Sequence, residues 1–183
     1  MEVLMQRTAL LVIGILLLGS ASATAQVAPK GPGFRAEFLA ELSVAEDHVV
    51  RLAEAIPADK YTWRPADGVR SVSEVLLHLA SSHNNMPRML GAAPRDGMLA
   101  ADYDESTIDK AKIVAALRES FALMRTGVER LSDADAEKAL PWFDGKNTYR
   151  GMLYFMARHT GEHTGQLIAY ARVIGVVPPW SER

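Results

Sequence analysis

A chain of 183 residues with 49% hydrophobic residues and a formal net charge of −2 is long enough to bury a core of its own. It has no cysteine, which excludes disulfide staples and a lipoprotein signal and leaves packing, with or without a metal, to hold the fold together. The mildly acidic balance argues against a nucleic-acid partner.

Residues 1–25 read as a secretory signal: Arg7 in a short basic region, an apolar core over residues 9–18, then small residues ending in Ala23-Thr24-Ala25. Cleavage is expected after Ala25, with Ala23 as the other option. The apolar core of about ten residues is shorter than the roughly 20 that span a bilayer. No stable membrane span is therefore expected after cleavage, and the expected location is exported, either periplasmic or secreted. Residues 26–33 form a Pro/Gly-rich flexible leader, and residues 34–183 are expected to be one domain.

In that domain Phe34, Phe38, Leu42, Ala45, Val49, Leu52 and Ile56 keep one apolar stripe at helical spacing, closed by Pro57. Residues 58–70 mix Tyr61 and Trp63 with Pro65 and Asp67-Gly68, an ordered loop whose aromatics cap the core. Ser71-Val72-Ser73-Glu74 has the capping-box pattern and opens a second helix over about residues 72–86, which Pro87 kinks or ends.

A long connection over residues 91–103 precedes a third helix over residues 107–131. Its inner side is marked by Ile108, Ala111, Val114 or Ala115, Leu117 or Arg118, Phe121, Met124, Val128 and Leu131, and its cap by Ser106 or Thr107. After a turn-bearing crossover over residues 132–147, Thr148 caps a fourth helix that runs to about residue 174, stopped by Gly175 and Pro178-Pro179. Four long amphipathic helices without a convincing period-2 run predict an all-α four-helix bundle.

The chemistry concentrates on the fourth helix. His159 and His163 stand four residues apart and, at about 100° per residue, on one face, in line with Met152, Phe155, Met156, Leu167 and Tyr170. Inward imidazoles need partners, and a transition-metal ion satisfies both. Of the remaining histidines, His48, His78 and His83, the cleanest apolar helical context belongs to His78, in Val75-Leu76-Leu77-His78-Leu79-Ala80. It is the choice for third ligand. Three imidazoles suit zinc first, with nickel or divalent iron as alternatives, and leave a position open for water or substrate.

Gln166 and Tyr170 follow His163 by one and two turns on nearly the same face. They are candidates for contacting substrate or for holding a ligand's second nitrogen, the alternative being a bond to a neighbouring helix for Gln166 and a core position for Tyr170. His83, beside Asn84 and Asn85, is read as exposed or substrate-facing, and His48 as a partly exposed helix residue. Glu162 points about 100° away from His163 and is expected to be a solvated carboxylate. Met86, Met89, Met98, Met124, Met152 and Met156 are spread over several elements and read as core filler rather than a soft-metal site.

Two blocks together carry a family resemblance. One is Trp63-Arg64-Pro65 with residues 71–79; the other is His159-Thr160-Gly161-Glu162-His163-Thr164-Gly165-Gln166-Leu167 with the tail over residues 170–179. In order and spacing the chain resembles the DinB family of metal-binding four-helix bundles. The resemblance implies a metal held by His78, His159 and His163 between the second and fourth helices, and a homodimer paired through bundle faces. Thiol transfer, the chemistry of cytoplasmic relatives, is not expected of an exported chain.

The function expected is that of an exported metal-dependent hydrolase or group transferase acting on a small substrate. The competing expectation is a non-catalytic envelope stress protein that binds metal or a small ligand; a helical interaction module with structural histidines is the third.

Overall fold

The computed structural model describes residues 31–89, 103–140 and 147–181, with only the backbone described at 86–89. The bundle is built from α1 (Phe34–Ala55), α2 (Val72–Met89), α3 (Lys110–Glu129), a one-turn α4 (Asp133–Ala136) and α5 (Tyr149–Val173). No described helix is long and apolar enough to cross a membrane.

The α1 helix buries Phe38, Leu42, Val49, Val50, Leu52 and Ala53, the inward stripe its spacing predicts. Its last carbonyls would lack intrahelical donors, and Lys110 supplies them: Nζ donates to the carbonyls of Glu54 at 2.6 Å and Ile56 at 2.7 Å. At the other end the Arg35 amide donates to Asp133 Oδ1 at 3.2 Å. Gly33 allows this approach, because its φ is +91° and a Cβ there would lie 2.6 Å from the Asp133 carboxylate.

Between α1 and α2, a 3₁₀ turn at Ala58–Lys60 leads to Tyr61, which is fully buried and donates its hydroxyl to the Ala53 carbonyl at 2.8 Å. The expected capping box is present: the Glu74 amide donates to Ser71 Oγ at 3.3 Å and the Ser71 amide to Glu74 Oε2 at 2.9 Å. The carbonyls of Trp63 and Tyr61 take the amides of Val72 and Ser73, so the loop closes the start of α2. Helix α2 continues through Pro87 to Met89, so the proline does not end it.

The third helix starts later than its sequence pattern suggests. Asp109, not Ser106 or Thr107, is the cap, with Oδ1 accepting from the amides of Ala111 at 2.9 Å and Lys112 at 3.2 Å. A carboxylate satisfies two orphan donors and opposes the helix dipole, which a hydroxyl two residues earlier does less well. Ile108, expected inside, therefore precedes the helix and is 63% exposed.

The crossover holds more order than predicted. Ser132 and Asp135 form a second capping box around α4, and β1 (Ala139–Leu140) pairs antiparallel with β2 (Asn147–Thr148). Two-residue strands are too short to show alternation. Thr148 caps α5, accepting from the Gly151 amide at 3.1 Å. The helix ends in a Schellman motif, with the Val176 amide on the Ala171 carbonyl, the Gly175 amide on that of Arg172, and Gly175 at φ +85°.

Helix α1 packs on α3 and α5, and α2 packs on the same two, so α1 and α2, neighbours in sequence, stand at opposite corners. Fully buried Leu52, Leu76, Leu77, Leu79, Ile113, Leu117 and Phe121 fill the interior, each contributing about 1.5–3 kcal/mol by leaving water. This topology puts the middle of α2 beside the middle of α5, where the site forms.

Candidate metal centre

His78 on α2 and His159 and His163 on α5 meet, one donor atom from each lying within 4.8 Å of the others. The ring centroids of His78 are 5.2 Å from His159 and 4.9 Å from His163, and those of His159 and His163 are 4.6 Å apart. Nε2 of His78 and Nε2 of His159 lie 3.2 Å apart. Phe155, one turn before His159, stacks on its ring at 5.9 Å.

Burial favours the neutral form of His78 and of His159. His78 is held below the ordinary histidine range by desolvation and then by the Arg70 charge, with Asp104 opposing. Desolvation, with the neighbouring rings of His163 and His78, pushes His159 down to about 4. A neutral imidazole is the form that ligates a metal.

Two of the three rings are held by their far nitrogen. His78 Nδ1 donates to Asp104 Oδ2 at 3.0 Å, and the same oxygen pairs with Arg70 Nε at 3.3 Å. His163 Nδ1 meets Gln166 Oε1 at 2.8 Å; Gln166 Nε2 donates to the Tyr170 hydroxyl at 2.7 Å, which donates to the Arg70 carbonyl at 3.1 Å. Among the described residues, Nδ1 of His159 is buried without a hydrogen-bond partner.

These residues fit a divalent transition ion. Carboxylate and amide partners on the far nitrogen orient ligating histidines. With Nδ1–H given to a carboxylate, His78 turns an Nε2 lone pair toward His159 at 3.2 Å, a contact that only a proton or a cation makes favourable.

Sequence reasoning singled out the three histidines the fold brings together, and placed Gln166 and Tyr170 beside them. The polar atoms of those two are spent on each other, on His163 and on the Arg70 backbone. His83 requires a correction. It is neither exposed nor substrate-facing but fully buried, between Ser120 Oγ at 3.3 Å on Nδ1 and Thr160 Oγ1 at 2.9 Å on Nε2, edge-on to Phe121.

His48 is half-buried and stacked on Trp180 at 4.1 Å. Glu162 is exposed and paired with Arg158. Met124, Met152 and Met156 are core residues, while the side chains of Met86 and Met89, and Met98, lie outside the described residues.

Asp104 and Arg70 were missed. Asp104 lies in a 3₁₀ turn, Tyr103–Glu105, and no spacing rule ties such a turn to a helix 26 residues earlier. A groove of about 340 Å³ between α1 and α5, lined by Phe38, Val44, His48, Gly161 and Ile168 among others, includes none of the three histidines.

The profile of the DinB superfamily matches residues 41–167, and the chain belongs to that superfamily. The bundle is similar to a DinB-like protein from Bacillus cereus ATCC 10987, with a TM-score of 0.68 and 14% identity over 78% of this chain and 93% of that one. It is also similar to the DinB-like protein YjoA of Bacillus subtilis, at 0.63 and 20% identity over 80% and 99%. YfiT of Bacillus subtilis, described as a probable metal-dependent hydrolase with an unusual four-helix bundle topology, gives 0.60 and 20% over 78% and 88%. No curated protein sequence matches the chain.

Proposed function

We propose that this chain is an exported metal-dependent hydrolase or group transferase that acts on a small substrate at His78, His159 and His163. The observation that carries this reading is the approach of one donor atom from each of three imidazoles, on two helices, to within 4.8 Å, with two of the rings held by Asp104 and Gln166. The description of YfiT as a probable metal-dependent hydrolase supports the reaction type.

Three nitrogen donors leave a further coordination position open to substrate, as catalytic sites do and structural ones do not. A divalent ion bound there supplies Lewis acidity and water acidified toward neutral pH. The chain's own contribution is to keep His78 and His159 free of protons at neutral pH and to fix ring orientation. Zinc is our first choice of metal, with nickel and divalent iron next. Export rests on the pattern of residues 1–25, and a homodimer belongs to the same proposal.

Elemental analysis of the purified protein, beside His78→Ala and His163→Ala, is the test. We expect about one metal per chain, lost in both variants. No bound metal, and no affinity for zinc, nickel or iron, would overturn the mechanism. N-terminal sequencing of protein recovered from the envelope or the medium checks export, with Gln26 as the expected first residue.

A further inference from the structure

Tyr170 lies two hydrogen bonds from the imidazole of His163, and the direction of those bonds can be read from one fixed point. The Arg70 main-chain carbonyl can only accept. The Tyr170 hydroxyl gives its single proton there, at 3.1 Å, which leaves its lone pairs facing Gln166. The Gln166 amide must then present Nε2–H to Tyr170, at 2.7 Å, and turn Oε1 to His163 Nδ1, at 2.8 Å. An amide oxygen accepts only, so Nδ1 carries the ring proton and Nε2 carries the lone pair.

From this we propose that Tyr170 is a positioning residue that fixes the tautomer of His163, and with it the atom His163 offers to a metal. The instruction passes from the backbone entering α2 to a ring on α5. Without the hydroxyl, no other described residue holds the Gln166 amide in one sense. Turned over, it offers NH₂ to Nδ1, the ring proton moves to Nε2, and the nitrogen needed for ligation is blocked.

The phenol is held in place by Trp63, which meets the Tyr170 ring edge-on at 5.2 Å. Arg70 ends both orienting arms: its carbonyl receives Tyr170, while its Nε pairs with the Asp104 oxygen that accepts from His78.

The affinity part of this inference rests on the metal-binding reading above; the tautomer part does not. The test is Tyr170→Phe, which keeps the ring against Trp63, with the histidine tautomers read from long-range proton–nitrogen NMR correlations in metal-free protein and zinc affinity from calorimetry. We expect His163 protonated at Nδ1 in the unaltered protein and shifted toward Nε2–H in Tyr170→Phe, with zinc bound about tenfold or more weakly.

Adding Gln166→Glu to Tyr170→Phe supplies a carboxylate, which accepts whichever way it turns, and restores both the tautomer and the affinity. An unchanged tautomer in Tyr170→Phe overturns the proposal, as does a loss of affinity that Gln166→Glu fails to rescue. If the tautomer responds as described while the unaltered protein binds no zinc, the tautomer control stands and the metal reading alone falls.

Discussion

Thr160 on α5 donates its hydroxyl to Nε2 of His83 on α2 at 2.9 Å, so the residue beside His159 is tied into the core by a histidine that is not part of the trio. The Ser120 hydroxyl donates to the Leu117 carbonyl at 2.8 Å, which leaves its oxygen to accept from His83 Nδ1. His83 is thus neutral and fully satisfied, and it joins α2, α3 and α5 at one point.

Thr160→Val keeps the shape of this junction and removes its donor. A buried Nε2 left unpaired costs about 1–3 kcal/mol, and urea unfolding is expected to show a loss of that size with metal stoichiometry unchanged. A loss below a few tenths would mean that the junction contributes nothing.

The same junction makes the metal-free protein sensitive to acid. Burial pushes His83 down to about 3, whereas in the unfolded chain it titrates near 6.5. Between those values the unfolded state holds the extra proton, so stability rises with pH and is lost as pH falls from about 6.5 toward 3. Metal-free His159, held at about 4, acts in the same direction. His83→Leu should be less stable at pH 7 and show a shallower decline between pH 6 and pH 4; an unaltered decline would contradict this assignment.

Asp104→Ala removes the partner of His78 Nδ1 from a turn outside the core. Losses of about 10–100-fold in metal affinity are typical for such partners, and zinc calorimetry should show a drop in that range with the thermal transition of the metal-free protein little changed. An affinity equal to that of the unaltered protein would remove Asp104 from the site.

Two glycines of α5 should respond in opposite directions to alanine. A Cβ at Gly165 meets none of the described residues within 4 Å, so Gly165→Ala is expected to stabilise by about 0.5–1 kcal/mol. At Gly151 a Cβ would sit 1.7 Å from Asn147 Oδ1, so Gly151→Ala should destabilise and disturb the β2 end of the crossover. Thermal unfolding of the pair checks both signs.

The helices were legible because burial of one face imposes period and the caps at Ser71 and Thr148 carry their own chemistry. His159 and His163 were legible for the same reason: one helix fixes their relation. His78 could be chosen from its apolar neighbours. The start of α3 was misread because three polar residues within reach of it can each cap, and only the relative strength of their bonds decides. His83 was misread because Asn84 and Asn85 suggest water, while Ser120 and Thr160, which satisfy it from two other helices, are far away in sequence. The Arg70 carbonyl belongs to the backbone, and side-chain identity gives no sign of its role.

The chain separation between His78 and His159, 81 residues, gives a bound ion a second role. Coordination across that gap closes a long loop in a protein that has no cysteine to close it covalently. A covalent link across a loop of this length restricts the unfolded chain by about 4–5 kcal/mol. An ion that held both helices would act as a removable rivet, so metal supply would govern how long the protein resists proteases as well as whether its site can work.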